Sequence, residues 1–225
     1  MDTSFTLADA ETRSDLTVFV QRAQRVDREA VRLLGAGRVL AVSSPILVPR
    51  GILSSGPTIL GLRTFALAED AAFDTVVAPA SVLERLARLD ALGTALHTIG
   101  LPPAEVRASW SGIAAPRDGW ARTGSVSAGV LRAGARAGVT EIAAALPDNA
   151  GDPIVAGVRM GVWGRELEGA ESLPAGVAFA ADALGFLGPD DAEELPIFES
   201  GSWTRISSLR GHVLVRRAGG GLLVG

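Results

Sequence analysis

Two apolar runs constrain the fold most. "RVLAVSSPILV" (38–48) and "TILGLRTFALAE" (58–69) flank "PRGILSSGP", a stretch holding two Pro, two Gly and two Ser. Apolar, β-rich runs bounded by turn residues predict an antiparallel pair of strands joined by a mobile connection. Such a pair needs more strands beside it and helices on its face. The rest of the chain supplies both patterns.

From Asp15, a candidate N-cap, Phe19, Ala23, Val26, Ala30 and Leu33 fall on one helical stripe that stops at Gly35 and Gly37. Its other side carries Arg22, Arg25, Arg28 and Arg32, which could grip a phosphate backbone, but with Asp27 and Glu29 among them a solvated face is the simpler reading. A short strand at Thr75–Ala78 leads into a helix lined by Leu83, Leu86, Leu89 and Leu92, ending near Gly93. Residues 100–124, with three Pro and poor periodicity, read as a connector. Helical patterns follow at 125–147, capped by Ser125 or Ser127, at Asp152–Pro153 onward, and within 173–188. Gly157, Gly161 and Gly164 weaken the second of these by about 1 kcal/mol each, yet permit close packing. "SWTRISSLRGHVLVRR" (202–217) reads as a terminal hairpin.

The expectation is an α+β fold. Its mainly antiparallel sheet comes from residues near 38–48, 58–68, 74–78, 202–207 and 212–216, with four or five helices packed on it and the terminal hairpin returning to the N-terminal strands. Residues 15–217 form a single compact unit with candidate lobes at 15–100 and 120–217. Residues 1–14 and the Gly-rich 218–225 are flexible tails.

Composition removes many chemistries. The chain has no Cys and no Tyr, all 21 of its basic residues are Arg, and its only histidines are His97 and His212. Thiolate nucleophiles, disulfides, zinc–thiolate sites, Schiff-base lysines and a three-histidine zinc site are therefore excluded within one chain. No cofactor and no metal are expected. Complete replacement of Lys by Arg resembles the product of a GC-rich genome and carries no functional weight. Net charge of −4 and a pI near 5.3 argue against broad attraction to nucleic acid or anionic membranes. With no charged-then-apolar leader and no ~20-residue apolar span, a cytoplasmic protein without membrane contact is expected.

Familiar motifs fail on spacing. "GAGRVL" has Leu40 where a dinucleotide fingerprint needs its third Gly, and "GSVSAG" misses the Gly-x-Ser-x-Gly elbow. Residues 139–165 faintly resemble a helix-turn-helix, with a long connector and Arg159 as the one base inside the second helix. A less expected pattern is Trp followed at +2 by Arg: Trp120/Arg122, Trp163/Arg165 and Trp203/Arg205. On extended backbone such pairs share a face, allowing guanidinium to lie over indole. Candidate ligand-binding residues are therefore Arg117, Asp118, Trp120 and Arg122 in the "PRDGWAR" loop, with Trp203, Arg205, Arg210 and His212 in the hairpin.

At "PRDGWARTGSV", "VWGRELEG", "GVAFAADALGFLG" and "SGSWTRISSLRGHVLVRR" the chain resembles a conserved actinobacterial family of uncharacterised proteins. The resemblance implies a bacterial, cytosolic setting and no particular activity.

These readings favour a non-catalytic scaffolding protein that self-associates as a homo-oligomer through apolar Gly- and Ala-rich helix faces, with nucleic acid not expected as a partner. One alternative is a cofactor-independent enzyme or binder for a small anionic ligand. Arg117, Arg122, Arg205 and Arg210 would hold the anion, and Asp118 or His212 would move a proton. A further alternative is DNA binding through residues 139–165.

Overall fold

The computed structural model describes residues 4–49, 56–92, 97–147 and 149–217. The fold is α+β. Five helices accompany a six-stranded, mainly antiparallel sheet and two smaller two-stranded sheets among the described residues. The chain divides into two compact units, Met1–Pro45 with Gly61–Ala114 and Ile46–Leu60 with Ala115–Gly225.

In the first unit regular structure begins well before Asp15, which corrects the expected tail for residues 4–14. Strand β1 (Ser4–Thr6) pairs with β4 (Thr98–Gly100), putting buried Phe5 opposite buried Ile99. Asp9, rather than Asp15, caps helix α1 (Ala10–Val26), its carboxylate accepting from Thr12 N–H at 2.7 Å. Leu16, Phe19, Val20 and Ala23 form the buried stripe, at the 3–4 residue spacing a helix requires.

The stripe does not continue to Leu33. Asp27 Oδ1 accepts from the N–H groups of Glu29 and Ala30, and that local turn ends the helix. The chain then enters β2 (Val31–Leu47), where Val31, Leu33 and Gly35 are buried and alternate with half-buried residues. Gly37 is no helix stop. It sits within β2 at φ 57°, a conformation a β-carbon would strain. Strand β3 (Thr58–Val77) brings Phe65 against Phe19, with ring centroids 6.0 Å apart. Helix α2 (Pro79–Ala91) starts on a Pro in its first turn and packs beside α1, where Arg13 and Asp90 form an ion pair at 3.2 Å.

In the second unit the larger sheet has the order β2-β3-β10-β9-β8-β5. The described ends of β2 and β3 falling in this unit are Ile46, Leu47 and Thr58–Leu60. The other strands are β5 (Ala121–Ser127), β8 (Glu194–Ser200), β9 (Trp203–Ser208) and β10 (Gly211–Arg216). β8, β9 and β10 form an antiparallel meander, and β5 pairs antiparallel with β8 at the sheet edge. Of the strands in this sheet, β5 and β8 were not expected, and residues 74–77, expected as a separate strand, are the end of β3.

Between β5 and β8 run α3 (Ala128–Ala145), α4 (Asp152–Trp163), the short hairpin β6 (Glu166–Leu167) and β7 (Ala170–Pro174), and α5 (Gly176–Ala183). Small residues let these elements approach. A Cβ at Gly134 would meet Leu167 and Ala178, and one at Gly138 would overlap the Trp163 ring. Trp163 is 1% exposed and stacks on Phe179 at 4.9 Å. Burying an indole of this size contributes roughly 4–6 kcal/mol of hydrophobic transfer.

The 50–57 connection lies mostly, and the 218–225 tail wholly, outside the described residues. Among the described residues no helix is long and apolar enough to cross a membrane.

Candidate functional site

The residues singled out in the second unit do not all converge. Arg117 and Asp118 are exposed in the loop before β5 and make no hydrogen bond or ion pair among the described residues. In the same loop Gly119 takes φ 72°, and the Trp120 indole N–H donates to Pro116 C=O at 3.0 Å. Arg210 lies in the β9–β10 turn, its N–H donating to Ser208 Oγ at 3.0 Å. It lies beyond the end of β9, past Arg205 by three strand residues and the start of the turn.

Trp120, Arg205 and His212 do come together, and Arg122 shares their sheet face two strands from Arg205. The Arg205 guanidinium carbon lies 4.5 Å from the Trp120 ring centroid and 4.7 Å from that of Phe198. Trp203 is only 6% exposed and takes no part in this stack. Guanidinium stacking thus differs from the Trp-x-Arg pattern: Arg205 pairs with Trp120, Trp163 stacks on Phe179, and Arg165 forms an ion pair with Glu141.

Register explains the grouping. Arg122 of β5 faces Phe198 of β8, Phe198 faces Arg205 of β9, and Arg205 faces Leu214 of β10. Strand alternation puts Ser207 and His212 on this same face, where His212 Nδ1 and Ser207 Oγ are 2.9 Å apart. The other face carries buried Ile197, Ile206 and Val213.

Electrostatics single out Arg205. Its Nε is buried without a hydrogen-bond partner, and it has no ion-pair partner among the described residues. Burial pushes its pKa below the usual arginine value. Burial first, and then the nearby Arg205 charge, push His212 below its ordinary value, so its imidazole is neutral at pH 7. Phe198 and Ser207 belong to this cluster without having been singled out. In "LPIFES" Leu195 and Ile197 alternate as a buried strand face, but Pro196 masks the strand and Phe198 falls out of phase with that pattern.

Two concavities carry less chemistry. One, of about 500 Å³ in the first unit, is lined by Arg32, Asp74, Thr75, Glu105 and Arg107. Two of its charges are matched to each other, Arg32 forking onto both Asp74 oxygens at 2.7 and 2.6 Å, and Thr75 Oγ1 donates to Glu105 at 3.2 Å. That fork lowers the Asp74 pKa. The other, of about 510 Å³ in the second unit, is a groove of small apolar residues on α3 facing the β6–β7 hairpin.

Residues 1–112 match the family described as Domain of unknown function (DUF8010), and residues 115–220 match Domain of unknown function (DUF8185). No curated protein matches the chain. Among solved structures the chain is similar in fold to the DNA polymerase sliding clamp of Bacillus subtilis, with a TM-score of 0.51 and 11% identity over 96% of this chain and 65% of that one. It is also similar to a candidate DNA polymerase III beta subunit from Eubacterium rectale, with a TM-score of 0.50 and 9% identity over 97% of this chain and 65% of that one. The chain thus spans just under two thirds of the length of these structures.

This likeness overturns two expectations, a scaffold unrelated to DNA and the absence of nucleic acid among the partners, because the two solved structures are named as a DNA polymerase sliding clamp and a DNA polymerase III beta subunit. Gly134, Gly138 and Gly176 of the Gly- and Ala-rich helices are filled from within the chain, by Leu167, Trp163 and Ile59.

Proposed function

We propose that the chain is a clamp-like, DNA-associated protein whose exposed helix arginines contact the phosphate backbone. The observation that carries this reading is the likeness in fold to the B. subtilis sliding clamp over 96% of the chain. Arg25 on α1, Arg28 just beyond it, Arg88 on α2 and Arg136 on α3 are exposed, and none has an ion-pair partner among the described residues. Arg13, Arg32, Arg63, Arg132, Arg165 and Arg217 are each bridged to a carboxylate. Guanidinium groups left outside ion pairs are the ones free to meet phosphate oxygens.

The contact is not assigned to residues 139–165. Arg159 donates to Ile46 C=O at 3.2 Å, and Arg165 is held by Glu141, so both bases of that segment are engaged. A DNA-associated role goes with a cytoplasmic setting.

Because the whole chain carries −4, attraction to DNA is local and sensitive to salt. Neutralising about four phosphates predicts roughly 100-fold weaker binding on going from 50 to 200 mM salt. Fluorescence anisotropy of a labelled duplex tests this. Binding at 50 mM that falls steeply with salt, and that is lost when Arg25, Arg28, Arg88 and Arg136 are all changed to Ala, is the expected result. No binding at 50 mM, or binding indifferent to those substitutions, would overturn the reading.

A further inference from the structure

The row Arg122–Phe198–Arg205 on the outer face of β5, β8 and β9 holds two cations without a carboxylate partner among the described residues. The closest acidic residue along β8, Glu199, alternates to the other face and is bonded to Arg217. In a chain of net charge −4, this is a local excess of positive charge. Arg205 is the unusual member: its Nε is buried with no acceptor, an arrangement that disfavours the empty site.

The geometry restricts what fits. With the guanidinium carbon over both the Trp120 and Phe198 rings, the directions left for donation are the N–H edges in the guanidinium plane. A carboxylate presents two oxygens in one plane and matches such an edge. A tetrahedral phosphate projects oxygens out of that plane, toward the space the rings occupy. Neutral His212, anchored through Nδ1 to Ser207, flanks the edge without adding charge.

We propose that Arg205, with Arg122 on the same sheet face, binds a carboxylate group between walls formed by Trp120 and Phe198. The group belongs to a small free acid or to an acidic side chain of another protein. The site shares no residue with the helix arginines assigned to DNA, so loss of either activity leaves the other testable.

His97 and His212 are the only histidines in the chain, so imidazole NMR reads the site directly, with His97 as an internal control. The full chain is titrated at constant ionic strength with acetate, with a blocked pentapeptide bearing one central glutamate, and with inorganic phosphate. Saturable movement of the His212 resonance with acetate or peptide, while His97 stays still, is expected. Arg205→Gln should weaken it at least tenfold and Arg122→Ala about fivefold. Tighter binding of the peptide assigns the carboxylate to a protein side chain, and tighter binding of acetate assigns it to a free acid. Phosphate binding tenfold tighter than acetate would overturn the carboxylate assignment. No saturable movement, or movement unchanged in Arg122→Ala, would overturn the site. Arg122 is exposed, so its variant folds and decides the matter even if Arg205→Gln does not.

Discussion

Arg205 on β9 lies 4.5 Å over the indole of Trp120, which comes from the loop before β5, and not over Trp203 two residues away on its own strand. Residues i and i+2 of a strand share a face but stand roughly 6.5–7 Å apart, whereas the sheet brings side chains from other strands closer. The contact is therefore tertiary, and Trp120→Ala should loosen it. The expected loss is about 1 kcal/mol, a fall of roughly 2–4 °C in Tm. Trp203→Ala removes a buried indole and should cost about 3–5 kcal/mol. Thermal melts of the two variants check the contrast, and equal losses would contradict it.

Glycines of the second unit separate into sockets and idle positions. A Cβ at Gly138 would overlap Trp163, so Gly138→Ala should destabilise by about 1–3 kcal/mol despite the better helix propensity of Ala. Gly157 on α4 has nothing within 4 Å of its Cβ position, and Gly157→Ala should stabilise by roughly 0.5–1 kcal/mol. Urea unfolding of the pair should show opposite signs.

Stability should depend on pH through His212. Its folded pKa lies below the unfolded value of about 6.5. Above that value both states hold neutral imidazole. As pH falls below it, the unfolded chain takes up a proton that the folded chain resists, so stability is lost between the unfolded and folded pKa values. His212→Gln should make the difference in unfolding free energy between pH 7.5 and 5.5 smaller than in the parent. Equal differences would show that His212 does not carry the effect.

Ser127 closes β5 and opens α3, its Oγ accepting from Val130 N–H at 3.3 Å. Ser127→Ala should cost about 1 kcal/mol, and Ser127→Asp should retain most of the cap. Circular dichroism melts distinguish the two, and an unchanged Ala variant would show that the long hydrogen bond contributes little.

Local chemistry made several elements legible in the sequence. Pro79 at the start of α2, Ser127 as the cap of α3 and the β9–β10 hairpin all follow from residues adjacent in sequence. Other elements depended on competition between neighbours. Asp27 ends α1 where the apolar stripe alone would continue it, because two backbone donors prefer its carboxylate. β5 is an exposed edge strand in which only Val126 is buried, so it shows no alternation to read. The cluster was half legible. Trp120, Arg205 and His212 were recognisable as candidates, but their pairing depends on the β8–β9 register, and β8 had not been recognised. Likeness to sliding clamps at 9–11% identity resides in backbone arrangement and leaves no motif to find.

The alternation of β9 has one further consequence. Arg205 points to one face of the sheet and Ile206, 1% exposed, to the other. Slipping the strand by a single residue would drive the guanidinium into the apolar layer and lift Ile206 out of it. Arg205 thus acts as a key for strand alignment, and replacing it with an apolar residue would lower the barrier to mispairing even where the final fold remained stable.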